Sequence, residues 1–350
     1  MRRRSGLWAA VCAAGALIVA PASASAITKT VYAGETPAAG KVISKYGAAV
    51  NAFFMSRVTI HRGDSIKFLI HGFHDIDLPG SSGKAQPLIL PGPTISGVND
   101  AAGQPFWFNG KLPSLSLNPA VVIPKLASTY DGTTQIVDPA PALAPPKPVT
   151  VAFTKTGTYK YFCDIHAGMV GYVVVKATGK PIPSAKQDRK ALKAQEKAVE
   201  VTAKRVFKTK VPKNTVDLGQ AGPGGVEDFG MFPQRLVVPV GTTVKFSMTQ
   251  NSREPHTATF GPAKYIEAIS QSIASPAADQ RAWYPTDNPG PPVVSPTIHG
   301  NGFASTGVLD AKASTKTIPS SGKLKFTTPG VYHYICLIHD FMKGTIVVQQ

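Results

Sequence analysis

Cysteine is scarce in this chain of 350 residues: there are three, and Cys12 lies in an N-terminal apolar run, which leaves Cys163 and Cys336. Two cysteines in an exported chain would usually pair as one disulfide, but each sits in its own copy of one local pattern, which argues for two separate thiolate sites. Histidine is sparse as well, with eight residues and no His-x-His pair. Acidic residues are outnumbered, 20 against 37 Lys and Arg, for a formal charge of +17. That excess attracts anionic surfaces or acidic partner proteins, and nucleic acid is excluded as a partner if the chain is exported. Beyond the N-terminus no apolar stretch approaches the ~20 residues of a membrane-spanning helix, so no membrane span is expected.

Arg2, Arg3 and Arg4 precede an apolar run from Leu7 to Ala20, and Ala24-Ser25-Ala26 supplies small residues suited to signal-peptidase cleavage. The expectation is a signal peptide over residues 1–26 and a mature protein that is soluble and exported, periplasmic or extracellular. About 320 residues remain, enough for two domains. The hydrophobic fraction of 43% allows a core in each.

Two blocks of sequence recur in the same order. Residues 153–175 and 326–348 align without a gap, and 12 of the 23 positions are identical, among them Gly157/Gly330, Tyr161/Tyr334, Cys163/Cys336, His166/His339, Met169/Met342 and Gly171/Gly344. Earlier, Phe54, Arg57, Gly63, Lys67 and Phe68 match Phe232, Arg235, Gly241, Lys245 and Phe246. Ordered recurrence of two blocks means a duplicated domain. Both blocks read as short strands separated by Gly-containing turns, and with 32 Gly and 31 Pro the chain reads as an all-β sandwich in each half. The expected layout is domain 1 over residues 27–180, a linker over 181–205 and domain 2 over 206–350. Lys186 to Arg205 contains neither Gly nor Pro and is rich in Ala, Lys and Gln, which predicts a basic helical linker. A solvated helix is the favoured reading; a docking surface for an acidic partner or an anionic cell envelope comes second.

Each half ends in a Cys-x2-His-x2-Met motif: Cys163, His166 and Met169, then Cys336, His339 and Met342. Thiolate, imidazole and thioether within seven residues form a soft-to-borderline donor set that suits copper, and two His with one Cys and a weak axial Met is the type 1 (blue) electron-transfer arrangement. Zinc more often recruits several Cys or His in a closed tetrahedron. The remaining imidazole must come from the earlier block. His256 is the candidate in the second half, whereas His71 and His74 compete in the first. His74 is preferred because Asp75-Ile76-Asp77-Leu78 repeats the polar-apolar alternation that follows His256. His61 and His333 align with Pro239 and Lys160 and read as solvated, and His299 reads as a loop residue.

With these residues in place, both halves resemble the cupredoxin family of plastocyanin and azurin, and the short ligand loop is closest to that of amicyanin. The resemblance implies two Greek-key β-sandwich domains, each with a type 1 copper at one end. It also implies that the residue after the first histidine ties the two ligand loops together; Asp75 and Thr257 stand there in place of the usual Asn. The chain departs from the compact members in the 89 residues from His74 to Cys163 and the 80 from His256 to Cys336. These Pro-, Gly- and Ser-rich insertions read as loops.

Two copper domains also raise an oxidase resembling the laccases, or a copper nitrite reductase. Those enzymes need many further histidines and a histidine beside the type 1 cysteine. Cys163 is flanked by Phe162 and Asp164, and Cys336 by Ile335 and Leu337. The expectation is therefore a non-enzymatic carrier of single electrons that serves redox partner proteins. An extracytoplasmic copper scavenger is the alternative.

Overall fold

Every second residue along Met169–Lys176 is buried, as it is along Ser65–Ile70, the signature of strands with one face on a core. The computed structural model describes residues 25–139, 148–273, 278–287, 302–311 and 318–350. The apolar run of the predicted signal peptide and His299 lie outside these residues.

Each half is an all-β Greek-key sandwich of two five-stranded sheets. In the first, Phe53–Phe54, Thr28–Ala33, Ser65–Ile70, Val149–Phe153 and Thr129–Tyr130 lie side by side. They face Ile136–Asp138, Ile76–Leu78, Gly157–Cys163, Met169–Lys176 and Arg57–His61. The second half repeats the pattern, with Thr215–Gly222 parallel to Thr243–Ser247 and Lys343–Gln349 parallel to Arg235–Pro239. Val31, Phe68, Phe153 and Tyr161 fill the first core, and Val216, Phe246, Leu324 and Tyr334 the second. The repeated Tyr/Gly pairs have a steric cause. Tyr161 lies opposite Gly171 and Tyr334 opposite Gly344, and a Cβ on either glycine would stand inside the tyrosine ring.

Three features join the halves. Ala48–Val50, from the first half of the sequence, pairs antiparallel with Val226–Phe232 and becomes an edge strand of the second sandwich. The helix Ala185–Val206 starts in a capping box between Ser184 and Gln187. It buries Val199, Thr202, Ala203 and Val206, the i, i+3, i+4, i+7 stripe of an amphipathic helix. That stripe packs on Ile43, Val50, Phe54 and Val226. Gln195 also accepts from the Met55 amide (3.0 Å) and donates to the Phe53 carbonyl (2.5 Å). The helix is therefore solvated on its outer face only, and the expected solvated linker is also a packed element between the halves. Its short apolar stripe is diluted in the sequence by the surrounding lysines.

The insertions between the ligands are not free loops either. They build a third apolar core in common, with Ile89, Phe106, Phe108 and Leu115 from the first half against Ile266, Trp283, Tyr284 and Phe303 from the second. Trp107 Nε1 donates to the Pro285 carbonyl (2.9 Å) and Tyr284 Oη to that of Pro113 (2.7 Å). Each insertion offers too few apolar residues for a core of its own, so the two clasp one another. Among the described residues no helix is long and apolar enough to cross a membrane.

Candidate metal centres

Cys163 closes the strand Gly157–Cys163, and Met169 opens the next strand directly opposite it. The turn between them carries His166 and is held by a 2.9 Å bond from the Met169 amide to the His166 carbonyl. His74 enters from the segment just before the neighbouring strand Ile76–Leu78, in which Asp77 is paired with Phe162. His74 Nδ1 lies 2.9 Å from His166 Nδ1, and Cys163 Sγ is 3.3 Å from His166 Nδ1 and 3.9 Å from His74 Nδ1. In the second half His256 is held by reciprocal bonds to Leu309, and the Met342 amide donates to the His339 carbonyl (2.9 Å). Here His256 Nδ1 is 3.1 Å from His339 Nδ1, and Cys336 Sγ is 3.8 Å from both. The structure thus brings together His74, Cys163 and His166, and separately His256, Cys336 and His339. Met169 and Met342 are buried in the same apolar cores as the cysteines. His71 is not part of either cluster: its side chain is 61% exposed and faces Glu35 at 3.8 Å.

These donors fit one metal ion per cluster. Metal–N and metal–S bonds of about 2.0–2.3 Å place three donors around an ion roughly 3–4 Å apart, close to the separations found. Two imidazole nitrogens and a sulfur converging in a buried space can share few hydrogens among themselves, whereas one cation engages all three. The protonation states agree. Burial, with the neighbouring His166, pushes His74 well below its ordinary value, and burial brings His256 down to about 3 and lowers His339. All three are therefore neutral at pH 7 and able to ligate. Burial pushes both thiols up, helped at Cys163 by the charge of Asp75.

The loop tie implied by the resemblance is present in both halves. Asp75 Oδ1 accepts from the Asp164 amide (2.7 Å), and Thr257 Oγ1 accepts from the Leu337 amide (2.8 Å). The Thr257 amide also points at Cys336 Sγ (3.4 Å). Beneath the first cluster lie the buried carboxyls of Asp75, Asp77 and Asp164. Burial raises all three, Asp75 to about 6. Beside the second lie the hydroxyls of Thr257, Thr259 and Ser305.

Two glycines support the clusters and went unnoticed in the sequence. The parallel registers Thr30↔Lys67 and Thr215↔Lys245 make Gly34 equivalent to Gly219. Both have positive φ, +82° and +72°. A Cβ would stand 2.8 Å from His74 Nε2 at Gly34 and 2.9 Å from His256 Nε2 at Gly219. A weak repeat, Val31-x-Ala33-Gly34 against Val216-x-Leu218-Gly219, is the signal that could have found them. Gly219→Ala is expected to cost about 1–2 kcal/mol of backbone strain and to weaken metal binding at the second cluster alone. A metal titration showing two unaltered affinities would contradict this.

The two clusters differ in access. His166 is 1% exposed, whereas the His339 side chain is 17% exposed beside Phe229 and Phe341, the latter 64% exposed. Glu254 lies between them, and sequence reasoning assigned it no role. Its Oε1 is 2.5 Å from His166 Nε2 and its Oε2 is 3.8 Å from His339 Nε2. Burial alone would push this carboxyl up, but the imidazoles of His166, His339 and His256 outweigh it and bring it down to about 2. Its counterpart in the first half is Gly72, so no repeat marked the position. Of the remaining histidines, His61 bonds the Lys180 carbonyl through Nε2 (2.7 Å), and exposed His333 contacts Thr345 Oγ1 (3.1 Å).

No protein family model and no curated protein matches this chain. Among solved structures, a Cu(I) form of an amicyanin point mutant is 19% identical over 41% of this chain and 89% of its own, with a TM-score of 0.22. A reduced Cu(I) form of another amicyanin mutant at pH 4 is 17% identical over the same shares, with a TM-score of 0.23. An oxidised amicyanin mutant is 18% identical, again over 41% and 89%, with a TM-score of 0.22.

Proposed function

We propose that the chain holds two type 1 copper ions, at His74, Cys163, His166 and Met169 and at His256, Cys336, His339 and Met342, and acts as an exported one-electron carrier. The observation that carries this is the twofold occurrence of a cluster of two imidazoles and one thiol, gathered at the ends of adjoining strands and the turn between them, with a buried methionine. Two His and one Cys with a weak axial Met is the donor set of blue copper. Copper so bound supplies a one-electron Cu(II)/Cu(I) couple. The chain's own residues hold the donors in place through the sheet register, Asp75 and Thr257, and they keep water away by burial. Such burial also argues against a scavenger that must release its cargo readily.

The absence of His-x-His pairs and of a histidine beside either cysteine supports a carrier rather than an oxidase. Lys186, Arg189, Lys190, Lys193 and Lys197 are exposed on the joining helix and suit an acidic redox partner, with the anionic cell envelope as a second electrostatic contact. Copper-loaded protein is expected to carry two coppers per chain and an intense visible thiolate-to-copper band. Copper bound without that band would sink the type 1 assignment.

Loading should also be linked to pH. At the second site the Cys336 thiol enters protonated and the His256 and His339 rings neutral, so that site releases about one proton at pH 7 and its affinity rises about tenfold per pH unit. Calorimetric titration in buffers of different ionisation enthalpy gives the count; a value near zero would mean that the thiolate is already formed.

A further inference from the structure

Glu254 belongs to the second half, two residues before His256, yet its shorter contact is to a histidine of the first. One carboxylate oxygen meets His166 Nε2 at 2.5 Å and the other faces His339 Nε2 at 3.8 Å. In both rings Nδ1 is turned to the donor cluster, so Nε2 is the outer nitrogen. Asn51 Nδ2, from the first half, donates to Glu254 Oε1 (3.3 Å), and the Glu254 backbone is bracketed by Ser252 Oγ, which donates to its carbonyl (3.0 Å) and accepts from its amide (3.3 Å). The neighbouring Arg253 guanidinium bonds the Asn51 carbonyl, and its amide bonds Glu227, which fixes this segment between the halves.

We propose that Glu254 is a positioning residue shared by both metal centres, joining one ligand histidine of each into a single coupled pair. The proposal rests on the copper assignment above. A carboxylate on the outer N–H of a ligating imidazole orients the ring and makes it a stronger donor, which favours the more positive state of the metal. Metal ligands commonly have such a partner of their own; here one buried negative charge serves two rings. The duplicated domains alone would give two self-contained sites. The single, unrepeated carboxylate makes each centre depend on a residue that only one repeat carries.

The test is potentiometry on the full chain. Cys336→Ser leaves the first site alone to be measured and Cys163→Ser the second, each with and without Glu254→Gln. Metal content and the visible band come first: if neither cysteine variant keeps a copper with that band, the copper assignment fails and not the bridge. With copper bound, E254Q is expected to move the potentials of both sites in the positive direction, and E254D, which keeps the charge, to move them less. A shift at one site only, or at neither, overturns the shared role. Circular dichroism of each variant separates misfolding from these outcomes, because a merely structural residue would alter stability without moving both potentials in the same direction.

Discussion

Cys163→Ser and Cys336→Ser should each remove roughly half of the visible charge-transfer intensity and one bound copper, and the double variant should be colourless. A serine hydroxyl is a hard, neutral donor that stays protonated at neutral pH, so it supplies neither the soft ligand nor the sulfur-to-metal transition. The fold should survive. Serine is close to cysteine in volume, and burying one hydroxyl costs about 1–3 kcal/mol, which a chain with three large apolar cores tolerates. Unequal loss is informative: if one single variant abolished all of the colour, only one cluster would be a blue site. If each single variant kept the full intensity, neither cysteine would be a ligand.

The second large effect concerns the clasp between the insertions. Phe108 is fully buried, stacked on Phe106 with centroids 5.0 Å apart and tilted against Tyr284 at 5.3 Å. Phe108→Ala is expected to lower stability by about 3–5 kcal/mol, the usual cost of an emptied aromatic site. Because this core is built from both halves, the loss should fall on their association more than on either sandwich. Denaturant unfolding should then separate into two transitions, with the visible band of each site kept through the first. A single transition at an unchanged midpoint would show that the clasp does not hold the halves together.

Much of this was legible in the linear sequence because it depends on local rules. Alternation of apolar and polar residues sets strands, and the twofold motif sets Cys163, His166 and Met169 beside Cys336, His339 and Met342. The alternation after His74 favours it over His71, and the structure places His74 with Cys163 while His71 faces Glu35. Helix propensity alone predicts the helix Ala185–Val206. The partners of its buried stripe of Val199, Thr202, Ala203 and Val206 include Ile43, Val50 and Phe54, which lie far away in the chain, so no local pattern marks the stripe as buried.

The scarcity of cysteine is sufficient to locate two buried thiols, and the repeat around each supplies the histidine and methionine that the structure places with it. Strand periodicity and short-range spacing carry that information, and both are properties of neighbouring residues. How the sites stand to one another is a different matter. Ala48–Val50 crosses to the other sandwich, the insertions share one core, and Glu254 reaches His166 from 88 positions away. The first two contacts come from burying apolar surface that neither half covers alone, and the third is a carboxylate–imidazole pair that this docking brings into reach; no local pattern encodes any of them, and only the folded chain decides that the two clusters meet at one carboxylate.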